Sequence, residues 1–307
     1  MCTSKTIVLA LFVATLMASC NAATIATPQP PFPAILIFGD STADTGNNNY
    51  HSQAVFKAKH LPYGVDLPGH EANGRFSNGK LISDVIASKL HIKEFVRFYN
   101  LTSPTKTLLL ESVSHLLVRV MMIVPRSRAR RSRRLEYPDI YGYQEFVLKR
   151  LDGFVRELYS LGSRNIVVGG LPPMGCLPVQ MTTKMRNVMR FCVEQENTDS
   201  VLYNQKLVKK LPEIEASLPG SKFLYANVYD PVMDMIQNPS KYGFKVTKKG
   251  CCGTGYLETG FMCNVISKTC PNHSDHLFWD SIHPSEAAYK YLGNFVDAQN
   301  IRGWLKT

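Results

Sequence analysis

An α/β fold with a mostly parallel sheet is predicted by two apolar runs and by what lies between them. Ala34 to Phe38 and Asn165 to Leu171 each read as a strand buried on both faces, and each ends in glycine or turn residues. Segments with apolar residues at helical spacing alternate with such runs along the chain, which is the pattern of a parallel sheet covered by helices. At 307 residues, 45% apolar and 19% charged, the chain is long enough for one large α/β domain and too apolar for a disordered one.

In chain order, Met1 to Lys5 carries a single positive charge, and Ile7 to Met17 is apolar except for Thr15. The small and polar residues that follow complete the layout of a secretory signal peptide covering residues 1–22, cut after Ala22 or Ala23. Eleven apolar residues are too few to span a bilayer, so no stable membrane insertion is expected. The mature chain, 23–307, is read as a single secreted, extracellular domain. After the first strand, Leu81, Ile82, Val85, Ile86 and Leu90 predict a helix. A second is predicted by Phe146, Val147, Leu151, Phe154, Val155 and Leu158, with Gly162 as its C-terminal cap. Val201 to Leu211 predicts a third helix, Lys222 to Val228 a third strand, and Pro284 opens a last helix running to about Val296.

The formal charge of +11 is a local feature: six arginines crowd into Arg126 to Arg134, and without them the balance is +5. No nucleic-acid partner follows from it, and a solvated loop is the plain reading of the run. Six cysteines remain after removal of the leader: Cys176, Cys192, Cys251, Cys252, Cys263 and Cys270. An even count in an oxidising compartment favours disulfides, with fifteen possible pairings. Adjacent Cys251 and Cys252, with no paired C-x-x-C, make zinc the weaker reading. No metal and no cofactor are expected. Asn100 and Asn272 open glycosylation sequons.

Ligands of parallel α/β sheets bind at the carboxyl ends of the strands. Ser41, in Phe38-Gly39-Asp40-Ser41, stands there. A serine hydroxyl needs a base, and His283 is the candidate, just ahead of the last helix, whose positive end favours a neutral imidazole. Asp280, three residues earlier, can reach the other ring nitrogen and fix the tautomer. Asp40 and Asn47 to Asn49 are explained by turn chemistry. His51, His60, His70, His91 and His115 are read as surface or core histidines, and Phe278 and Trp279 as packing anchors.

These phrases resemble the plant-type GDSL esterases/lipases of the SGNH hydrolase superfamily. The resemblance is carried by Phe38-Gly-Asp-Ser-Thr-Ala-Asp-Thr-Gly-Asn-Asn-Asn-Tyr50, Pro62-Tyr-Gly64, Gly74-Arg-Phe-Ser-Asn-Gly-Lys80 and Glu157-Leu-Tyr-Ser-Leu-Gly162. It continues through Gly170-Leu-Pro-Pro-Met-Gly-Cys176, Lys249-Gly-Cys-Cys-Gly-Thr-Gly255 and Phe278-Trp-Asp-Ser-Ile-His-Pro284. It implies a flavodoxin-like three-layer α/β/α sandwich and hydrolysis of small-molecule or lipid esters through an acyl-enzyme. Ser41 becomes the nucleophile, with Asp280 and His283 beside it. The resemblance also implies an oxyanion hole made of the Ser41 backbone N–H, a glycine in a Ser/Asn-Phe-Ala-Ser-Gly-Gly-Ala-Gly stretch, and an asparagine in a Gly-x-Asn-Asp stretch.

Neither of those two stretches is found in this chain. Both belong between Lys93 and Asp139, where residues 94–138 carry the Leu-Val-Met run and the arginine run instead. Synonymous codons for Glu111 to Met122, read from the third base, give Val-Ser-Phe-Ala-Ser-Ala-Gly-Ala-Gly-Tyr-Asp, close to the glycine stretch. Residues 94–138 are therefore expected to be out of frame and shortened, through a gene-model error, a splice variant or a degraded gene, and activity is expected to be impaired. The alternatives are a non-catalytic secreted lipid- or glycan-binding relative and a frame-damaged product without function.

Overall fold

A computed structural model describes residues 35–50, 54, 56–92, 117–120 (backbone), 137, 139–183 and 189–296. The chain divides into residues 1–30 and 31–307, and every described residue belongs to the second unit. The expected leader, Asn100, the arginine run, His51 and His115 lie outside the described residues.

Four parallel strands form the main sheet in the order β1 (Ile35–Phe38), β2 (Leu117–Val120), β3 (Asn165–Gly169) and β4 (Lys222–Ala226). Alternation along the strands divides the core in two. Ile35, Val167, Leu224 and Ala226 face one side, and there they meet α1 (Ile82–Lys89), α5 (Tyr229–Gln237) and α6 (Glu286–Val296). Leu36, Phe38, Ile166, Val168, Phe223 and Tyr225 face the other side, against α2 (Ile140–Ser160) and α4 (Glu194–Ala216). The result is the expected three-layer α/β/α arrangement, with a small sheet. A short helix, α3 (Pro178–Thr183), follows β3.

The helices form where the apolar spacing places them. Val147, Leu151, Val155 and Leu158 of α2 are buried on one stripe. Asp139 caps that helix by accepting the Gly142 N–H at 2.7 Å. Gly162 follows its end at φ 98°, a conformation that favours glycine. Helix α4 runs past the expected limit of Leu211 and through Pro212, whose missing N–H would have served the carbonyl of Val208, an exposed residue.

The last helix differs from expectation: it begins at Glu286, not Pro284. Hydrogen bonds from Trp279 N–H to the His283 carbonyl and from Ser285 N–H to the Leu277 carbonyl hold this segment in a turn. Pro284 pairs there with Phe278, and the Ser285 hydroxyl caps the helix by accepting the Ala288 N–H. Helix α5 and a second, two-stranded parallel sheet of β5 (Val246–Gly250) and β6 (His276–Phe278) complete the fold.

The six cysteines from Cys176 onward are paired, as Cys176–Cys192, Cys251–Cys270 and Cys252–Cys263. Spans of 16, 19 and 11 residues correspond to roughly 3 kcal/mol each on the loop-entropy account. The pairing removes the zinc reading. A third cluster, with Ala58, Tyr63, Phe76 and Trp279, packs around two of these bridges. No helix among the described residues is long and apolar enough to cross a membrane.

Residues 94–138, expected to be out of frame and shortened, nevertheless supply a strand to the main sheet. Leu117–Val120, from inside that region, lies between β1 and β3. The steps β1→β2 and β2→β3 run the same way across the sheet, yet α1 and α2 cover opposite faces. Right-handed crossovers that step one way place their helices on one face. Among the described residues, α1 and α2 therefore cannot both be the crossover helix of a right-handed connection.

Candidate active site

Ser41 sits in the turn that leaves the carboxyl end of β1. Its turn is held by Asp40, which accepts the Thr42 N–H at 3.0 Å and the Thr42 hydroxyl at 2.8 Å. Asp44 accepts the N–H groups of Gly46 and Asn47 at 2.8 and 2.7 Å, which builds the Asn47–Asn49 turn. Asp40, Asp44 and the asparagines thus shape the loop, as turn chemistry predicts.

The ends of the described chain meet here. Ser41 Oγ lies 2.6 Å from His283 Nε2, across 242 residues of sequence. His283 Nδ1 lies 2.6 Å from Asp280 Oδ2. Both Asp280 and His283 are buried. An ionised carboxylate only accepts, so the proton sits on Nδ1, and Nε2 is left to accept from the serine hydroxyl. The Phe76 ring packs on the imidazole with centroids 4.9 Å apart.

Asp280 is the most heavily bonded side chain of the group. Its Oδ1 accepts the N–H groups of Ile282 and His283 at 2.8 and 2.7 Å. Its Oδ2 also accepts the hydroxyls of Tyr63 at 2.6 Å and Thr259 at 3.0 Å. Burial works to raise its pKa, but the charge and hydrogen bonds of His283, with those from Tyr63, outweigh it and hold the carboxyl below the usual range. Gly250 packs on its backbone, where a Cβ would come within 2.6 Å of the Asp280 carbonyl.

Tyr63 was not assigned a role by its sequence. It is fully buried, donates to Asp280 and accepts the Gly260 N–H at 2.8 Å. Burial, and then the Asp280 charge, push its phenol well above the ordinary range, so it stays a donor at any working pH. The only signal was its place in Pro62-Tyr-Gly64. Thr259 carried no signal at all.

Tyr63→Phe is expected to cost about 1.5–3 kcal/mol, the usual worth of a hydrogen bond to a charged group. It would read as a lower denaturant midpoint with an unchanged slope. A carboxyl held below its unfolded value contributes stability that is lost as pH falls through the folded value. Removing one donor raises that value, so acid unfolding of the variant should begin at higher pH than in the parent.

The other motif residues brace this centre. Arg75 forms a buried two-point ion pair with Asp84 at 2.8 and 2.9 Å and reaches the Thr45 carbonyl. Ser77 donates to the Pro284 carbonyl, and Asn78 accepts the Glu286 N–H at 2.9 Å, which joins the Gly74–Lys80 segment to the start of α6. His283 stands three residues before that helix, so Asp280, rather than the helix end, dominates its surroundings. Phe278 and Trp279 are buried as packing anchors, and His70 and His91 are exposed.

Comparison with known proteins agrees with this arrangement. The family model described as GDSL-like lipase/acylhydrolase matches residues 35–296. The chain belongs to the GDSL lipase/acylhydrolase family. By that membership it is a carboxylic ester hydrolase. Among its relatives, GDSL esterase/lipase At2g30310 of Arabidopsis thaliana is 66% identical, with all of both chains covered. GDSL esterase/lipase At2g30220 of the same plant is 65% identical over 99% of each chain, and At2g24560 is 57% identical over 99% of this chain and 98% of the relative. The first alignment is 359 positions long against 307 residues here, so 52 positions have no counterpart in this GDSL chain.

Among the described residues no cluster of three or more His, Cys, Asp or Glu could hold a metal. A cavity of about 650 Å³ is lined by Asp66, Asn272, His273, Glu286 and Lys290 among others. Its lining includes neither Ser41 nor His283.

Proposed function

We propose that the protein is a secreted serine ester hydrolase that works through an acyl-enzyme, with Ser41 as nucleophile, His283 as base and Asp280 as orienter. The observation that carries this reading is the 2.6 Å contact between the Ser41 hydroxyl and His283 Nε2. Nε2 takes the hydroxyl proton as Oγ attacks the ester carbonyl, and Asp280 stabilises the imidazolium that forms. The tetrahedral oxyanion is met by the Ser41 backbone N–H. Its collapse expels the alcohol, which takes the proton from His283. Water, deprotonated by the same nitrogen, then attacks the acyl group, and the acid leaves with Ser41 restored.

Turnover is slow in this proposal, because the glycine and asparagine stretches that would supply further oxyanion donors are not in the sequence. The test is hydrolysis of p-nitrophenyl acetate or butyrate by the expressed chain with Ser41→Ala as control. Equal rates in the two proteins exclude the enzyme reading.

Secretion is supported by the leader pattern and by the pairing of all six remaining cysteines. Asn272 is exposed, with its side-chain oxygen accepting the Ser274 N–H at 3.1 Å. The intact mass of chain secreted from plant cells should correspond to a start after Ala22 or Ala23 and fall on treatment with an N-glycosidase. A mass that includes residues 1–22 refutes the leader, and one unchanged by the glycosidase refutes the glycan at Asn272.

A further inference from the structure

The segment from Cys251 to Cys270 is stapled twice, with its ends joined to each other and Cys252 tied to Cys263. What it holds outward is apolar. Phe261 is 61% exposed, and at the tip Val265 and Ile266 are 73% and 86% exposed. Phe56, also exposed, stacks on Phe261 with centroids 5.9 Å apart.

Val-Ile is an unusual pair for the corner of a turn, where Gly, Asn, Asp, Pro and Ser are preferred. The flanking polar residues make it possible. Ser267 N–H donates to the Asn264 carbonyl at 2.9 Å, Ile266 N–H to Asn264 Oδ1 at 3.1 Å, and Asn264 N–H to the Ser267 hydroxyl at 3.1 Å. Asn264 Nδ2 and the Ser267 hydroxyl also donate to the carbonyls of Phe261 and Met262. The polar groups are spent on shaping the turn, and the apolar ones face water.

Charge selects the occupant. Glu258 and Lys268 are the charged residues of the segment. Burial works to raise the Glu258 carboxyl, but hydrogen bonds from Thr254 and from the Leu257 N–H hold it down at about 2, folded into its own loop. Lys268 is exposed two residues beyond Ile266. Lys59, near Phe56 in the chain, and Lys248 and Lys249, just ahead of Cys251, are exposed as well. An apolar tip with exposed Lys268 two residues away, on a segment whose one carboxylate is turned into its own loop, matches a surface that is oily inside and negative outside.

We propose that this tip docks the protein on anionic lipid surfaces, from which the ester is then drawn. The substrate half of the idea rests on the esterase reading, whereas the docking half does not. The same stapled segment reaches the centre at its other side: Thr259 donates to Asp280, and the Gly260 N–H donates to Tyr63.

The test is flotation of the full chain with vesicles of phosphatidylcholine alone and of phosphatidylcholine with phosphatidylglycerol. The parent should float with the anionic vesicles, and Val265→Glu/Ile266→Glu should weaken that binding at least about tenfold. Melting and p-nitrophenyl acetate hydrolysis should be unchanged in the variant. Ser41→Ala should lose hydrolysis and float like the parent, which separates failure of the esterase reading from failure of the docking one. The docking proposal is overturned if the parent ignores anionic vesicles, if it floats equally with both kinds, or if the variant floats as well as the parent. It is also overturned if sedimentation shows a dimer that the substitutions dissolve, since the tip then belongs to a second copy of the chain.

Discussion

Ser41→Ala is expected to lower hydrolysis of a soluble aryl ester by about a thousandfold or more, down to the rate in buffer. In serine hydrolases the nucleophile and base act as a unit worth about 10⁶ in turnover, and the oxyanion donors and binding supply a remaining 10³–10⁴. With the oxyanion donors reduced as proposed, that remainder is expected to be thin, so little should survive once the hydroxyl is gone. His283→Ala should cost about as much, and the double variant should be no slower than either single one. Asp280→Asn should cost about 10⁴ if it mainly leaves the imidazole in the wrong tautomer. Additive losses in the double variant would show that Ser41 and His283 do not act together, despite their 2.6 Å contact.

The second large effect concerns residues 94–138. Losing one oxyanion donor costs about 10²–10³ in turnover, so a chain short of two should turn over at least about 10⁴ times more slowly than an intact relative. GDSL esterase/lipase At2g30310 of Arabidopsis thaliana, 66% identical, is the natural comparator. Replacing residues 94–138 with its corresponding segment should recover most of the difference on the same soluble ester, with little change in KM. The loss is expected in the step that develops negative charge. Equal turnover in the unaltered chain and the comparator would mean that the donors come from elsewhere in the fold.

The parts of the fold visible in the sequence were those with a strong local signal. Asn165–Gly169 is buried on both faces from Ile166 onward and so reads as an unbroken apolar run. Ile35–Phe38, expected to be buried on both faces, is half-buried at all four positions although its sequence is as apolar. Val246–Gly250 contains two lysines and pairs with only three residues of β6, so no period marked it as a strand. The start of α6 was misjudged because Pro284 fits a first helical position equally well, whereas the backbone bonds of Trp279 and Ser285 decide the matter. Ser41, Asp280 and His283 were legible because each lies beside a strong element boundary. Tyr63 was not, since its contact with Asp280 spans 217 residues and a buried tyrosine looks like any other core aromatic. The cysteine pairing needed coordinates for the same reason: adjacent Cys251 and Cys252 point to different partners.

The opposed faces of α1 and α2 bear on what the longer relatives contain. Both connections become right-handed if a strand is laid along the open side of Ile35–Phe38 and the path doubles back over it. The 52 unmatched positions are ample for such a strand and its return. In that arrangement the direction of winding reverses at β1, and the reversal opens a crevice beside Ser41 in which an acyl chain could lie. Among the described residues β1 is the outermost strand of the main sheet, so Ser41 stands at its margin.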